Sequence, residues 1–299
     1  MPGAAGRSGD AALRQALYPR QQRSSRRVRP VLRHGRALLR FGAFLLVSLA
    51  FAFFYLLTLP FPRRLQQRVQ RRWCAAVNRC AGLSVRVEGT PVDTPGPILF
   101  LVNHVSYFDI PAFGSLVDAT FVAKSEVASW PLFGQFSRLT GTVFIPRRVN
   151  RTSEQVAVLR ERFLRDHRLI LFPEGTNGDG RSVLPFKSSL LQAVTSEATG
   201  LPVTVQAVSL AFTRLTTGEP LTGPHYDLFA WVDADDMFPH LWRALGSAGA
   251  EVRVIFHPPL AADLSQDRKL MARAAEAQVR AGLAKLWADV LDPTTPKDR

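Results

Sequence analysis

The chain has 299 residues, 46% of them apolar and 21% charged, enough to bury a core in one large domain with an appendage. Its formal charge of +14 is confined to one end. Residues 1–80 carry 16 Arg and one acid, Asp10, a net of +15, whereas residues 81–299 set 22 basic against 23 acidic side chains. This leaves the C-terminal three quarters without the positive field that nucleic acid requires, and confines any contact with an anionic surface to the N-terminal end.

Residues 1–35 are rich in Gly, Ala, Ser, Gln and Arg without apolar periodicity and read as a disordered basic arm. The run FGAFLLVSLAFAFFYLLTL, 41–59, then offers nineteen uncharged residues. As a helix it is about 28 Å long, close to the thickness of a bilayer core. It starts too far into the chain, and lacks a small-x-small cleavage site after it, to read as a cleaved secretory signal. Pro60-Phe61-Pro62 stops that helix. The next stretch places Leu65, Val69, Trp73, Ala76, Val77 and Cys80 at helical spacing opposite Arg64, Arg68, Arg71 and Arg79. That pattern is the one of a helix lying on an anionic membrane surface, with an amphipathic helix docked on the domain as the alternative. Arginines at both ends of the apolar run give no clean orientation, so a segment that dips into one leaflet and returns is preferred to a single span. Cys74 and Cys80 fit no zinc-ligand spacing and read as small buried apolar groups in a reducing compartment.

Beyond Gly82, strands are expected at 84–88, 97–102, 119–123, 143–146, 169–172, 203–211 and 251–256. Helices are expected at 110–117, 129–139, 153–166, 188–199 and 265–290. This alternation predicts an α/β domain over 83–299, with a largely parallel or mixed sheet covered by helices, behind a two-helix motif at 36–82. In such folds chemistry collects on loops leaving the carboxyl ends of strands.

Two such loops carry ionisable groups. In NHVSYFDIP, His104 and Asp109 are too far apart to face each other on one helix, and Pro111 fits a first helical turn, so the helix should begin near Asp109. The carboxylate can then fold back onto one imidazole nitrogen, leaving the other as a base near neutral pH. A plainer account makes Asp109 or Ser106 a helix cap and His104 a bonded loop residue. In FPEGTNGDGR, Gly175, Gly178 and Gly180 surround Glu174, a turn whose backbone N–H groups can approach an oxyanion or polyol, or simply a tight surface turn. Arg147 and Arg148, after GTVFIP, suit bidentate phosphate or carboxylate recognition or a solvated strand end. Lys124, Glu126 and Lys187 are further exposed-charge candidates. There is no GxSxG elbow, Walker loop, HExxH or Cys/His cluster.

The order NHVSYFD, GTVFIPR, FPEGT and LPVTVQAV resembles the four-block pattern of the glycerolipid acyltransferases that include lysophosphatidic acid acyltransferase, over roughly 83–215, with the two-helix start also similar to bacterial members. The resemblance implies His104 as the base that deprotonates an acceptor hydroxyl, Asp109 as its orienting partner, and attack on the thioester of acyl-CoA or acyl carrier protein without a covalent acyl-enzyme. It further implies acceptor binding by Arg147, Glu174, Gly175 and Thr176, with Lys124 beside them, and no metal or cofactor. The implied setting is a membrane, with the active site on the cytoplasmic face of a bacterial inner membrane, and with membrane lipids and a lysolipid as partners. Two departures bear on the acceptor: Asn177 stands where many lysophosphatidate enzymes carry Arg, and the fourth block lacks its central proline at Val205-Gln206-Ala207. The continuations GDGRSVLPFKSSL, SLAFTRL, FPHLWRAL and FHPPL resemble the branch that acylates lyso-ornithine lipid. Lysophosphatidate, giving phosphatidic acid, is the first expectation and lyso-ornithine lipid the alternative. A non-catalytic protein binding membrane or nucleic acid through the basic arm, and a metal-dependent hydrolase using His104, Asp109 and Glu174 with a further ligand from His225, His240 or His257, are the competing classes.

Overall fold

The computed structural model describes residues 30–129, 133–145, 152–166, 168–232 and 236–292. Helix α1 (Pro30–Leu57) starts six residues inside the stretch expected to be arm and spans 28 residues, about 42 Å. One stripe, with Ala37, Ser48, Phe51 and Tyr55, is buried. The remainder is bare apolar surface, with Leu46 and Leu49 each 71% exposed and Phe53 60%. A tight turn leads into α2 (Arg63–Ala81), held by Arg63, which donates to the Tyr55 hydroxyl at 2.6 Å, to Gln66 Oε1 at 2.7 Å and to the Thr140 carbonyl at 2.6 Å.

The periodicity predicted α2, but its inward face is not the expected Leu65–Val69–Trp73 stripe. Gln66, Gln67, Gln70, Cys74, Val77, Asn78 and Ala81 point into the domain. The Asn78 amide donates to the Pro111 carbonyl at 3.0 Å and to Ser115 Oγ at 3.1 Å, so this polar face ties α2 to α3. Trp73 lies between Phe51 of α1, at a 4.8 Å ring separation, and Phe136, at 5.7 Å. Cys74 is buried as expected, while Cys80 is only half-buried.

After Gly82, which ends α2 in the left-handed conformation at φ 73°, seven strands alternate with helices. In chain order these are β1 (Leu83–Glu88), β2 (Ile98–Val102), α3 (Asp109–Gly114), β3 (Thr120–Lys124), α4 (Phe133–Leu139), β4 (Val143–Ile145), α5 (Thr152–Asp166) and β5 (Arg168–Leu171). There follow α6 (Ser188–Leu191), α7 (Ser196–Thr199), β6 (Thr204–Leu215), α8 (Met237–Gly246), β7 (Ala250–Phe256) and α9 (Arg268–Leu291). The sheet order is β1-β7-β6-β2-β5-β3-β4. Five strands run one way; β7 pairs antiparallel with β6 and parallel with β1, so the sheet is mixed.

Central strand β2 is buried throughout, as covered parallel strands are. Ile98, Phe100 and Val102 join the side containing α3 and α8, with Phe113, Leu245 and Phe256. Leu99 and Leu101 join the side covered by α5 and α9, with Leu159, Phe163, Val279 and Leu283.

Three expectations differ from what forms. The helix expected over 188–199 is broken, because Thr195 is extended and its hydroxyl accepts from Ala198 N at 3.1 Å, capping a separate turn. Strand β6 runs on to Leu215, since it also pairs with β7 across a bulge at Phe212/Arg214. Helix α8, around FPHLWRAL, was not anticipated; Pro239 in its first turn is compatible with a helix start.

In the fourth block, Gln206 is a cross-link between three backbone segments. Its amide donates to the Thr90 carbonyl at 3.0 Å and the His257 carbonyl at 2.8 Å, and its oxygen accepts from Val92 N at 2.8 Å. One side chain thus joins the loop after β1, strand β6 and the end of β7. Replacing Gln206 with Ala should orphan these backbone groups and lower stability by about 2–3 kcal/mol. Urea unfolding of the detergent-solubilised protein should show a lower midpoint at an unchanged slope.

Candidate active site

The site is built where β2 and β5 end side by side, Leu101 opposite Leu171. As β2 finishes, Asn103 takes over for the backbone: its amide donates to the Leu210 carbonyl and its oxygen accepts from Leu210 N, both at 2.8 Å. This extends the β2–β6 pairing by one side chain and fixes the direction in which the next loop leaves.

On that loop, Asp109 opens α3 and folds back. Its Oδ2 lies 2.6 Å from His104 Nδ1 and accepts from Val105 N at 2.6 Å and Ser106 N at 3.0 Å. An oxygen receiving two backbone N–H donors acts as the acceptor toward the ring as well, so Nδ1 carries hydrogen, and in the neutral tautomer the lone pair is on Nε2. Asp109 is fully buried, while the His104 side chain keeps 20% exposure. The imidazole stacks on Phe172, rings 4.2 Å apart at 16°, which closes one of its faces.

Phe172 begins the FPEGT loop, which wraps around His104 on the backbone side. Glu174 Oε2 accepts from His104 N at 3.2 Å, Oε1 accepts from Leu184 N at 3.2 Å, and Gly178 N donates to the His104 carbonyl at 2.6 Å. Glu174 is 2% exposed, so its carboxyl ties the two loops together rather than facing open space. Burial pushes its pKa up to about 8 against the pull of the two backbone N–H groups, with Asp109 and Asp179 adding to the rise. Gly175 and Gly180 have φ of 65° and 70°, where a side chain would be strained. A Cβ on Gly175 would also lie 3.5 Å from Lys187 Nζ, so that ammonium overhangs the turn.

The other sequence candidates fall as follows. Thr176, partly buried, continues the same turn, and Lys124, also partly buried, ends β3 opposite Ile145. Arg147 and Arg148 lie outside the described residues. Asn177 donates to the Trp231 carbonyl at 3.1 Å, and Trp231 N donates to the Val105 carbonyl at 3.1 Å. Position 177 is therefore structural glue between the two loops and the segment before α8. Among the described residues no group of three His, Cys, Asp or Glu side chains could hold a metal ion. His257 instead bonds Ser209 Oγ at 2.7 Å. His240 accepts from the Tyr107 hydroxyl through Nδ1 at 2.6 Å, with Nε2 toward the Asp227 and Ala230 carbonyls.

A sequence model of the acyltransferase family matches residues 84–210, which holds both loops. The chain is 34% identical over 250 residues to a lyso-ornithine lipid O-acyltransferase of Brucella abortus, covering 82% of this chain and 93% of that one. This chain belongs to the acyltransferase family. It is also 33% identical over 208 residues to a 1-acyl-sn-glycerol-3-phosphate acyltransferase of Neisseria meningitidis, covering 68% and 77% of the two chains. Its fold is shared with the crystal structure of the 1-acyl-sn-glycerophosphate acyltransferase PlsC from Thermotoga maritima, at a TM-score of 0.59 and 22% identity, over 86% of this chain and 98% of the other. The protein is an enzyme, an acyltransferase resembling the 1-acylglycerol-3-phosphate type.

Several residues that set the acyltransferase loop escaped the sequence reading. Helix α9, outside the family match, holds the far side of the FPEGT loop: Glu276 accepts from Phe186 N at 2.9 Å, Arg280 donates to the Val183 carbonyl at 3.3 Å, and the Trp287 indole donates to the Gly180 carbonyl at 2.7 Å. These pairs are 90 or more residues apart, and no local spacing signals them.

Glu174 generates a test. Between pH about 4.5 and 8 the folded protein retains a proton that the unfolded chain has shed, so this carboxyl makes stability fall as pH rises, by up to about 1.4 kcal/mol per unit. Glu174→Gln should be less stable at pH 5, having lost one N–H acceptor, and should show a flatter decline from pH 5 to 8 in denaturation midpoints. Parallel pH curves for the two proteins would contradict the assignment.

Proposed function

We propose that the enzyme transfers a fatty acyl chain from a thioester donor, acyl-CoA or acyl carrier protein, to the free hydroxyl of a lysolipid, and that the acceptor is lyso-ornithine lipid. The observation that carries the chemistry is the His104–Asp109 pair, with Nδ1 held 2.6 Å from the carboxylate, which leaves Nε2 of the neutral ring as the base. In this reading His104 Nε2 takes the proton of the acceptor hydroxyl as its oxygen attacks the thioester carbonyl. The tetrahedral adduct then collapses, the C–S bond breaks, and the imidazolium returns its proton to the departing thiolate. Asp109 supplies the charge that stabilises the imidazolium midway. Neither a metal nor a cofactor enters this scheme.

Two observations favour lyso-ornithine lipid over lysophosphatidate. The phosphate-family position after FPEGT is Asn177, whose amide is committed to the Trp231 carbonyl. Lyso-ornithine lipid, with a carboxylate and an ammonium, is close to neutral, whereas a phosphate monoester carries about −1.5 to −2. Relatives from Brucella abortus and Rhizobium meliloti, 34% and 36% identical, are both named lyso-ornithine lipid O-acyltransferases. Lys187 over Gly175, together with Arg147 and the Gly175–Thr176 turn, would meet the headgroup carboxylate. Lysophosphatidate remains the second reading, on the strength of the Neisseria relative. The bare face of α1 supports a membrane seat, with the site on the cytoplasmic side where thioester donors are found.

His104→Ala should lower acyl transfer by roughly 10² to 10⁴ while lipid association persists, and Asp109→Asn should cost less. Activity of His104→Ala above a few per cent would remove it as the base. With labelled acyl donor and a panel of lyso-ornithine lipid, lysophosphatidate and other lysophospholipids, the first should give the highest kcat/KM; a preference for lysophosphatidate would restore the second reading.

A further inference from the structure

Helix α8 lies outside the family match and carries an aromatic face that the acyl-transfer chemistry does not use. Phe238 is 57% exposed beside exposed Pro239, and with Trp242 and Arg243 they border a shallow depression of about 420 Å³. This face is continuous with α1. The Phe238 ring stacks on Trp242 at 6.0 Å and 25° and meets Phe41 of α1 edge-on at 6.1 Å; Trp242 reaches Phe41 at 6.4 Å. The junction is rigid. Arg36 donates to the Ser247 carbonyl at 2.8 Å, and Arg40 donates to the Leu245 and Ser247 carbonyls at 3.1 and 3.0 Å, so two α1 arginines cap the carboxyl end of α8. A Cβ on Gly246 would come within 3.0 Å of the Arg33 carbonyl, so the two helices touch there.

We infer that α8 is a second lipid-contacting element, its Phe238–Pro239–Trp242 face seated in the interfacial layer of an anionic bilayer beside α1. This rests on the reading of α1 as membrane-seated. The chemistry at this level is that of an interface. Trp242 shows an apolar ring while its indole N–H donates to His34 Nδ1 at 2.9 Å, as interfacial tryptophans combine an apolar body with a bonded edge. Arg243 borders the patch and His34 bonds Trp242, while α1 adds Arg33, Arg36 and Arg40; α8 itself contains no acid, and Asp233, Asp235 and Asp236 precede it in the sequence. Such a basic aromatic rim is complementary to anionic headgroups. The opposite face of α8 carries His240, bonded to Tyr107 in the loop between His104 and Asp109. One ten-residue helix therefore connects the lipid-facing surface to the catalytic loop and holds that loop at headgroup height.

The test uses the full chain in vesicles of phosphatidylcholine and phosphatidylglycerol. Cys80→Ala removes the half-exposed thiol; Cys74 is buried, its thiol pushed up to about 12, and stays unlabelled. A single cysteine at position 238, 49 or 158 then carries an environment-sensitive fluorophore, with doxyl-labelled lipid as quencher. Position 238 should show blue-shifted emission and strong quenching, as position 49 on α1 does, while position 158 on α5 stays aqueous and unquenched. If 49 is quenched but 238 behaves like 158, the inference about α8 falls and the membrane reading of α1 stands. If 49 is also unquenched, both fall. Blue-shifted emission at 238 without lipid quenching means that protein, such as a second copy of the chain, covers the patch, and also overturns the inference. In a kinetic companion, Phe238→Glu should lose roughly tenfold in kcat/KM on vesicle-embedded lysolipid, with little loss on a short-chain soluble lysolipid. Equal loss on both would overturn the docking role.

Discussion

A single carboxylate oxygen organises this protein's site. Asp109 Oδ2 gathers His104 Nδ1, Val105 N and Ser106 N within 3.0 Å. From the first residue of α3 it reverses the chain after β2 and orients the imidazole. Full burial of Asp109 keeps water from competing for that oxygen. The loop's own backbone N–H groups and the needs of a base are satisfied by one oxygen, for which four residues between His104 and Asp109 suffice.

The rest of the domain holds that reversal in place from several directions. Asn103 anchors the loop's entry to β6, Phe172 and Glu174 brace it from β5, and the Tyr107–His240 bond and the Trp231–Val105 contact brace it from the segment around α8. The braces come from strand β6, from the loop after β5 and from the β6–β7 connection. Burial keeps Tyr107 protonated, and burial together with nearby Arg243 favours neutral His240, so this link between the loop and α8 persists without a charge.

Much of this was legible in the sequence because it is written at short range. Seven apolar strand runs, the Pro111 helix start and the FPEGT turn are local patterns, and all seven strands form within a few residues of their expected limits. The His104–Asp109 contact was legible for the same reason. What stayed hidden depends on long-range partners: which face of α2 is inward, the role of Glu174 as an internal tie, the committed amide of Asn177, and the α9 contacts. The glutamine-rich face of α2 is instructive, since its polar side chains lie inward and the Asn78 N–H groups bond the end of α3, a partner 33 or more residues away. Helix α8 was missed because ten residues with a proline and two aromatics carry too short a period to be read.

The placement of α9 has a bearing on biosynthesis. A ribosome delivers α1 and α2 first, then the two loops, and only near the end the residues from Glu276 to Trp287 that pin Phe186 and Gly180. Strand β7, which sits between β1 and β6, also emerges late, so the earliest strand waits beside an empty slot for most of translation. The glycine turn of a nascent chain therefore stays unfastened until α9 has been made, and that helix is what locks the assembly shut.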